Sequence, residues 1–321
     1  MKHIGVMTSG GDAPGMNAAL RAVVRAGLNA GLQVSGISSG YEGMIDGAIQ
    51  PLGKRDVGNI IQRGGSILGT SRSKRFLERA HRDQARAHLA TAGIEGVVVI
   101  GGDGSMKGAK ALAETGAIKV VGLPGTIDND MALVGPTIGF DTAVNTALRA
   151  IDNIRDTAST ANVVHIVEVM GRHCGWIGLV AGIGGGAEAA VVPEFDFDLV
   201  ALSARVQADI EAGKQGCIVV LAEGTYPGGG QKLAADLRSV SGCEARLTVL
   251  GHTQRGGNPS ASDRLLASRL GAAAVEALLD GQSEVVLGAP GDEVQAFAFA
   301  DVEAAKEGPP AVLYKLVEDL A

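Results

Sequence analysis

The sequence predicts an α/β protein built on mainly parallel sheets that are covered by helices. Short runs rich in Val and Ile alternate with Ala-rich amphipathic segments, which is the pattern of βαβ units. The chain carries 48 glycines and few aromatic residues, so its core must be built from Val, Ile, Leu and Ala. At 321 residues it could hold two domains and can bury a large core.

The first 37 residues predict one βαβ unit. Ile4–Met7 is a short apolar strand, and Thr8–Asp12 is its glycine-containing exit loop. Asp12 is a candidate N-cap for a helix that starts near Asn17. Apolar residues then recur at helical spacing until Gly31, and Val34–Ile37 reads as the next strand.

A second unit repeats this design. Gly96–Ile100 predicts a fully buried strand, Gly101–Ser105 is its exit loop, and an Ala-rich helix follows from about Met106. The two Gly-Gly-Asp exits, Gly10–Asp12 and Gly101–Asp103, are the nearest feature to an internal repeat. The remaining predicted strands are Val163–Val169, Ala189–Val192 and Cys217–Leu221; the remaining predicted helices are Thr142–Arg155, Leu199–Ala212, Asp263–Leu279 and Ala311–Leu320; glycine-rich loops are expected at Gly184–Gly186 and Gly228–Gly230.

The run Val121–Asp130 combines a buried strand with reactive side chains. We expect the strand to end at Pro124-Gly125, a turn signal. Thr126, Asp128 and Asp130 then follow the strand end, which is where ligands bind in open α/β sheets. A carboxylate beside a phosphate can accept a hydroxyl proton or hold Mg²⁺. An Asx-turn with capping carboxylates is the alternative interpretation of this run.

Composition excludes several classes of function. A formal charge of −7 argues against a nucleic-acid partner, because phosphate backbones need a basic surface. The three cysteines, Cys174, Cys217 and Cys243, form no metal or redox motif, which fits a reducing cytoplasm. No segment reads as a signal peptide or a membrane span, so we expect a soluble cytoplasmic protein.

Glycines after a strand let the backbone approach a phosphate, and the free N–H groups of the following helix favour an anion. Gly101–Ser105 has this form, although many such turns are only tight connections. Asp103 inside the turn is a hard oxygen ligand suited to Mg²⁺.

Arginines recur beside glycines or at strand ends. Singly each is most simply a solvated surface charge, but two loops combine several such groups: Gly171–Gly175, which a buried strand delivers to the same sheet edge, and Gly251–Gly257. Their side chains suit a polar, anionic, hydroxyl-rich ligand such as a sugar phosphate. The arginines concerned are Arg63, Arg72, Arg172, Arg246 and Arg255.

These segments, in this order, resemble the signature segments of bacterial ATP-dependent 6-phosphofructokinases. The resemblance rests on Thr8–Asn17, Gly101–Ser105, Pro124–Asp130, Met170–Arg172 and Gly251–Gly257, and it covers essentially the whole chain. It implies two Rossmann-like three-layer α/β/α domains, a homotetramer, and transfer of the ATP γ-phosphate to the 1-hydroxyl of fructose 6-phosphate. The implied ATP/Mg²⁺ domain is 1–139 plus about 252–305, and the implied sugar-phosphate domain is 140–251 plus about 306–321.

The resemblance also implies site residues. Asp128 would be the base, Thr126 and Arg172 would steady the phosphoryl group, Asp130 would support the base and the metal, and Asp103 would hold Mg²⁺. Nucleotide contacts would be Gly11, Arg72, Ser73, Gly102, Asp103, Gly104 and Ser105. Sugar-phosphate contacts would be Thr126, Ile127, Asp128, Met170, Gly171, Arg172, Glu223, Arg246, His252, Thr253, Gln254 and Arg255.

Two features refine this expectation. Pyrophosphate-using relatives carry Asp and Lys where this chain has Gly104 and Gly125, so we expect both glycines to leave room for ATP. An anionic effector, ADP, GDP or phosphoenolpyruvate, is expected at Arg21, Arg25, Lys54, Arg155, Glu188 and Lys214, where Lys54 replaces a common Arg.

One departure from the family concerns the run Ala161-Asn162-Val163, where relatives usually carry an Arg that reaches the sugar 6-phosphate. We expect either weaker sugar-phosphate binding or compensation by protonated His165, Arg246 or Arg255. The alternatives to this function are another kinase with a Gly-Gly-Asp-Gly turn, a pyrophosphate-dependent phosphofructokinase, or a non-catalytic nucleotide-sensing subunit.

Overall fold

The computed structural model describes residues 1–158, 163–214, 216–305 and 308–321. The strands are β1 (His3–Thr8), β2 (Gln33–Ile37), β3 (Ile49–Pro51), β4 (Gly96–Gly101), β5 (Lys119–Thr126), β6 (Ile138–Gly139), β7 (Val163–Val169), β8 (Ala189–Val191), β9 (Cys217–Ala222), β10 (Glu244–Val249), β11 (Val285–Gly288) and β12 (Gln295–Ala298).

The helices are α1 (Met16–Asn29), α2 (Gly40–Asp46), α3 (Arg79–Thr91), α4 (Asp103–Ala113), α5 (Phe140–Ala158), α6 (Trp176–Gly184), α7 (Leu199–Glu211), α8 (Gly229–Ser241), α9 (Ala261–Leu279), α10 (Phe299–Ala304) and α11 (Ala311–Leu320). Short 3₁₀ turns occur at Arg75–Leu77 and Gly251–Arg255. No helix in the described ranges is both long and apolar enough to cross a membrane.

The chain divides into two compact units. Unit 1 comprises Met1–Ile127, Met131–Thr142 and Arg255–Glu307, and unit 2 comprises Asp128–Asp130, Ala143–Gln254 and Gly308–Ala321. The assignment of one ligand to each domain remains a prediction.

The sheet of unit 1 has the strand order β12-β11-β5-β4-β1-β2-β3, with β6 paired to β5. The pairs from β2 through β1, β4 and β5 to β11 are parallel, and the outer strands β3 and β12 are antiparallel. Successive residues of a strand face opposite sides, so each side of the sheet has its own core. On one side Val97 and Val99 pack with residues of α2, α3, α4 and α10. On the other side Ile4 and Val34 lie against Gly27 of α1.

Unit 2 contains a four-stranded parallel sheet in the order β10-β7-β9-β8. One face packs on α7 and α8 through residues such as Val206 and Leu237, and the other carries α6 and α11 through Leu179 and Val317. The predicted α/β class with mainly parallel sheets is therefore confirmed.

The expected turn at Pro124-Gly125 is wrong, because β5 continues through both residues to Thr126. Pro124 is aligned with Gly101 of β4, and Gly125 pairs with Ile138 of β6. On the other edge β11 pairs with β5 only at Val121 and Gly122. A proline is tolerated where a neighbouring ladder has ended, since it has no N–H to donate.

The expected helix starts also need correction. Helix α1 is capped by Gly15 in the left-handed conformation, while the carboxylate of Asp12 accepts a hydrogen bond from Ser66 N at 3.3 Å. Helix α4 begins at Asp103, three residues before the expected Met106, because Gly102 serves as the N-cap. The loop expected at Gly228–Gly230 is the start of α8.

Candidate active site

The two Gly-Gly-Asp loops of unit 1 lie side by side, because β1 and β4 are neighbouring parallel strands. Ser9 N donates to the carbonyl of Ile100 at 2.9 Å. A Cβ on Gly101 would lie 2.7 Å from the Ser9 carbonyl and 2.6 Å from Ser105 Cβ, so this position requires glycine. The two Gly-Gly-Asp segments of the internal repeat therefore lie next to each other along one edge of the sheet.

The N-terminus of α4 carries the candidate metal ligand. Asp103 lies in the first turn, is about half exposed, and pairs with Lys107 Nζ at 2.7 Å. Gly104 faces open space, with no atom within 4 Å of a hypothetical Cβ. First-turn N–H groups and an open glycine suit an anion such as a nucleotide phosphate. A single exposed carboxylate fits Mg²⁺, which keeps most of its waters in proteins.

Thr126 ends β5 beside this helix start. Its side chain is 8% exposed, and a Cβ on Gly102 would lie 3.3 Å from Thr126 Cβ. The carbonyl of Thr126 accepts a hydrogen bond from Thr137 Oγ1 at 2.7 Å. The hydroxyl-bearing strand end is thus held against the Gly102–Ser105 turn, as the sequence predicts for residues that share one sheet edge.

The side chain at position 125 does not face the same open space. A Cβ on Gly125 would lie 3.0 Å from Ile100 Cγ2, 3.1 Å from Met16 Cε and 3.2 Å from Gly101 N. A side chain at position 104 would thus enter open space, whereas one at position 125 would press on the packed interior. The expectation that both glycines leave room for ATP stays a prediction.

Asp128, Asn129 and Asp130 follow Ile127, which is fully buried. Asn129 has φ 53°, a left-handed conformation that Asn tolerates better than most residues. Asp128 is half-buried and Asp130 is exposed. This tight turn places both carboxylates near the surface. Such a position suits the predicted roles of Asp128 as proton acceptor and of Asp130 as its support.

Two further loops of unit 1 carry residues that the sequence assigns to the nucleotide. Arg72 is exposed, and Ser73 Oγ accepts a hydrogen bond from Phe76 N at 3.1 Å. The guanidinium of Arg255 covers Gly11, since Nη1 would lie 2.6 Å from a Cβ there, and it donates to the Asp12 carbonyl at 3.4 Å. The structure thus brings a predicted sugar-phosphate residue beside a predicted nucleotide residue.

Asn17 is a residue that the sequence reasoning missed. It is fully buried, its Nδ2 donates to the carbonyls of Arg63 and Gly65 at 2.9 and 2.7 Å, and its Oδ1 accepts from Ile67 N at 2.9 Å. It anchors the 63–67 loop to the start of α1. The available signal was an amide residue on the apolar face of a helix.

The unit 2 residues that the sequence assigns to the sugar phosphate begin where β7 ends. Gly171 has φ 126°, and a Cβ there would lie 2.4 Å from the carbonyl of Cys174, so only glycine fits this turn. Arg172 next to it is 67% exposed, and its Nη2 lies 3.6 Å from Glu223 Oε1. The expectation that this loop shares a sheet edge with Thr126 is wrong, because β7 belongs to the separate four-stranded sheet.

Gln254 is fully buried and holds backbone rather than facing solvent. Its Oε1 accepts from Met170 N at 2.8 Å, and its Nε2 donates to the Ala143 carbonyl at 3.3 Å. His252 and Thr253 beside it are exposed, and Thr253 Oγ1 donates to the Leu250 carbonyl at 2.7 Å. Gln254 therefore fixes the position of Met170, which the sequence assigns to the sugar.

His165 lies on β7 opposite Arg246 of β10. Burial and the charge of Arg246 lower the pKa of His165, and the charge of Glu244 opposes that shift. This shift disfavours the protonated form of His165, and compensation for the missing arginine stays a prediction. Val163 is buried at 2% exposure, while Ala161 and Asn162 lie outside the described residues.

The predicted effector residues divide between the units. In unit 1, Arg21 and Arg25 are half-buried, and Lys54 is exposed. Arg25 Nε is buried and has no hydrogen-bond partner among the described residues.

In unit 2, Glu188 is 1% exposed and is 3.0 Å from Lys214 Nζ, and its other oxygen accepts from Ile218 N. Arg155 Nη2 donates to the carbonyls of Gly185 and Gly186, each at 2.7 Å.

The three cysteines are free. Burial raises the pKa of Cys174 to about 12 and that of Cys217 to about 12, so neither thiol is reactive at neutral pH. Within the described ranges, no group of three or more His, Cys, Asp or Glu side chains could hold a metal ion.

Glycine-lined helix starts in an α/β sheet, a half-exposed carboxylate and nearby arginines define a protein that binds phosphorylated ligands. The phosphofructokinase family model matches residues 3–278, and the chain belongs to this family. It is similar to the ATP-dependent 6-phosphofructokinase 1 of Thermus thermophilus, at 58% identity over 92% of this chain and 91% of that protein. It is also 46% identical to the ATP-dependent 6-phosphofructokinase of Natranaerobius thermophilus over the full length of both.

Solved structures agree on the fold. The Pichia pastoris phosphofructokinase in the T-state matches with a TM-score of 0.89 and 36% identity, over 94% of this chain and 35% of that longer chain. The pyrophosphate-dependent phosphofructokinase of Marinobacter aquaeolei matches with a TM-score of 0.86 over 97% of this chain and 86% of that chain, but at 23% identity. The latter likeness concerns the fold alone.

Proposed function

We propose that this protein transfers the γ-phosphoryl group of ATP to the 1-hydroxyl of fructose 6-phosphate, giving fructose 1,6-bisphosphate and ADP in glycolysis. The observation that carries the proposal is the Gly102–Ser105 turn, where the first turn of α4 and the open face of Gly104 leave room for a nucleotide. The names of the relatives from Thermus and Natranaerobius support ATP as the donor.

Unit 1 is the nucleotide-binding part in this proposal. Gly11, Arg72, Ser73 and the Gly102–Ser105 turn contact ATP, with backbone N–H groups directed at its phosphates. Asp103 would hold Mg²⁺, which when bound neutralises charge on the phosphate oxygens. Lys107 then has to release the carboxylate with which it pairs at 2.7 Å.

The proton acceptor in this proposal is Asp128. Its carboxylate takes the proton from the 1-hydroxyl as that oxygen forms a bond to the γ-phosphorus, and the bond from phosphorus to the leaving ADP oxygen breaks. The fixed turn at Asn129 limits the freedom of this carboxylate. Asp130 supports the base and the metal, and Thr126 orients the transferring group.

Unit 2 is the sugar-phosphate part. Arg172 offers an exposed guanidinium that suits the negative charge on the transferring phosphoryl group. Met170, Gly171 and Glu223 contact the sugar, and Arg246, His252 and Thr253 serve its phosphate. Arg255, assigned to the same phosphate, belongs to unit 1. Gln254, which the sequence assigns to the substrate, supports this set by fixing Met170 N. Ile127, assigned likewise, is fully buried and acts through its backbone.

The family resemblance further supports a homotetramer in the cytoplasm with an effector site for ADP, GDP or phosphoenolpyruvate. The buried, unpartnered Nε of Arg25 supports an anion at the α1 residues of that site. In this proposal Arg21 and Lys54 accompany Arg25 in unit 1, and the effector residues of unit 2 are Arg155, Glu188 and Lys214.

The test is a coupled assay for ADP release. Purified protein is mixed with ATP, Mg²⁺ and fructose 6-phosphate, and omission of each component serves as a control. Pyrophosphate replaces ATP in a parallel reaction that is followed by fructose 1,6-bisphosphate formation. We expect turnover that requires both the sugar phosphate and ATP. Faster turnover with pyrophosphate, or ADP release that ignores the sugar phosphate, would reject the proposal.

A further inference from the structure

Asp263 is a buried carboxylate with no part in the site described so far. It is 1% exposed, and it lies near the start of α9. Its Oδ1 accepts a hydrogen bond from Gly139 N at 2.8 Å. Its Oδ2 accepts from Thr142 N at 2.8 Å and from Thr142 Oγ1 at 2.5 Å. Two of these donors, Gly139 N and Thr142 N, are backbone groups at the start of α5. Asp263, which belongs to α9, therefore caps α5.

The hydrogen bonds of Asp263 lead directly to Thr126. Gly139 is the residue of β6 that pairs with Thr126 of β5. Strand β6 has only two residues, so its own pairing gives little support. The bond from Gly139 N to Asp263 gives β6 a second partner besides β5. Thr137 adds a second link through its hydrogen bond to the Thr126 carbonyl.

The same junction supports the Gly10–Gly15 loop. A Cβ on Gly139 would lie 2.8 Å from Ala13 Cβ. A Cβ on Gly15 would lie 2.7 Å from Ile138 Cγ2 and 3.6 Å from Asp263 Cβ. Both glycines have positive φ, so the backbone approaches closely where a side chain would not fit. Any shift of β6 would therefore move this loop together with Thr126.

A carboxylate is a poor choice for stability at such a position. Burial raises the pKa of Asp263, while its hydrogen bonds to Thr142 and Gly139 oppose that rise. Among the described residues, Asp263 forms no ion pair that would offset its loss of hydration. Buried charges often contribute less to stability than apolar groups of similar size. In some proteins such buried groups instead fix one arrangement of the groups around them.

We propose that Asp263 is a positioning residue for phosphoryl transfer, which holds β6 so that Thr126 and the Gly10–Gly15 loop keep their places. This inference rests on the proposed function. Asp263 touches neither substrate, and it acts through Gly139 and Thr142. Its effect should thus appear in kcat of fully folded enzyme, because a misplacement of about 1 Å can lower a rate by roughly 10²-fold.

Three variants separate positioning from stability. Asp263→Asn keeps the size of the side chain but replaces an acceptor oxygen with an N–H₂ group. This group is itself a donor, so it cannot accept the hydrogen bond from Thr142 N. Thr142→Val removes the hydroxyl, and Thr142→Ser keeps it. Ser260→Ala is the matched control, because Ser260 Oγ caps α9 by accepting from Asp263 N at 3.2 Å. The bond from Ser260 N to Thr142 Oγ1 at 2.9 Å is donated by the backbone, so this variant leaves it in place. All are assayed at a temperature at least 15 °C below their own Tm, a margin of roughly a few kcal/mol for such a chain.

We expect Asp263→Asn and Thr142→Val to lower kcat by about 10- to 100-fold, with smaller changes in KM for either substrate. Thr142→Ser should retain wild-type kcat, and Ser260→Ala should lower Tm while leaving kcat unchanged. Equal kcat in all folded variants would overturn the proposal, as would a loss of kcat in Ser260→Ala that matches Asp263→Asn.

The thermal shift caused by MgATP is measured in parallel for each variant. Wild-type enzyme that binds MgATP but has no activity with fructose 6-phosphate would reject the proposed function, whereas active wild type with unaffected Asp263→Asn would reject only this inference.

Discussion

The guanidinium of Arg255 lies directly over the α-carbon of Gly11. A Cβ at position 11 would be 2.6 Å from Arg255 Nη1 and 3.2 Å from its Cζ, and Arg255 also donates to the carbonyl of Asp12. These two residues are 244 positions apart in the sequence, since 255 less 11 is 244, yet one limits the size of the other. Glycine at position 11 thus allows the arginine to reach the β1 exit loop.

Gly11→Ala should displace Arg255 and weaken substrate binding. The loss of one charge-assisted hydrogen bond corresponds to about 1.5–3 kcal/mol, or roughly 10- to 150-fold in half-saturation. Saturation curves for ATP and for fructose 6-phosphate measure the effect. Gly291→Ala is the matched control, because a Cβ there meets no atom within 4 Å. Unchanged half-saturation for both substrates in Gly11→Ala would show that the position of Arg255 does not matter.

Gly104→Asp should weaken ATP binding without destabilising the free protein. The side chain would extend into open space, so no packing is disturbed, but it would bring a negative charge to the nucleotide phosphates. We expect a rise of at least about tenfold in KM for ATP, since a like-charge contact can cost a few kcal/mol. The Tm of the free protein should change by less than about 2 °C. An unaltered KM for ATP would place the nucleotide elsewhere.

Asp128→Ser should lower kcat by at least the roughly 10²–10⁴-fold that loss of a general base typically causes, with smaller changes in KM. The reason is that the variant lacks the carboxylate that is proposed to take the proton of the 1-hydroxyl. Asp56→Ser is a matched control on the surface, where the Asp56 carboxylate accepts a hydrogen bond from Gly53 N at 2.7 Å. Retention of near wild-type kcat in Asp128→Ser would remove it as the base.

Regular elements with strong periodicity could be predicted from the sequence. The strand Val163–Val169 and the helix Ala311–Leu320 have the predicted bounds, and the strand at Cys217 ends one residue later than expected. These segments are apolar on the faces that the sheet or helix buries, so hydrophobic pattern and local preference agree. A segment can be predicted from the sequence when its hydrophobic pattern and its local conformational preference agree.

Elements that depend on tertiary contacts could not be predicted. Strand β10 has exposed Glu244 and Arg246 around buried Ala245, which makes it a weakly patterned edge strand. In α3 only Ala85 and Leu89 are buried, so little of that helix carries an apolar signal. The continuation of β5 through Pro124 depends on where its pairing with β11 ends. The residues around Pro124 carry no signal for that point.

The candidate site shows the same limit. Glycine turns and carboxylates at strand ends could be recognised, because their chemistry is local. The supporting residues Asn17, Gln254 and Asp263 could not, since their roles lie in contacts to Gly65, Ala143 and Gly139, which are distant in sequence. Assignment of Gln254 to the substrate followed a motif, whereas its burial shows a supporting role.

Arg25→Ala should abolish the response to phosphoenolpyruvate or ADP while leaving uninhibited kcat nearly unchanged. The buried Nε of Arg25 has no partner in the described structure, so its removal breaks no visible hydrogen bond. Arg79→Ala is the control, because Arg79 is 83% exposed. Lys214→Ala is less informative, since it also removes the partner of buried Glu188. Velocity is measured against effector concentration at subsaturating fructose 6-phosphate, and a fully retained response would place the effector site elsewhere.

The cations available to a sugar phosphate in unit 2 depend on the state of His165. Because its pKa lies below the ordinary value of about 6.5, His165 is mainly neutral at pH 7. A histidine with a depressed folded-state pKa contributes stability that is present above its unfolded pKa and is lost as the pH falls through the folded pKa. In the proposed function, arginines such as Arg246 would therefore supply most of the positive charge for the sugar phosphate at neutral pH.

The pKa of His165 should move in opposite directions in two variants of β10. Arg246→Gln removes a repelling positive charge and should raise the pKa, and Glu244→Gln removes an attracting negative charge and should lower it further. NMR titration of the imidazole Cε1–H signals measures both shifts, and the signal missing in His165→Gln identifies the residue. Each shift should shrink in high salt, because both charges are more than half exposed and are screened. Shifts of the same sign in both variants would show that rearrangement of β10, rather than charge, controls His165.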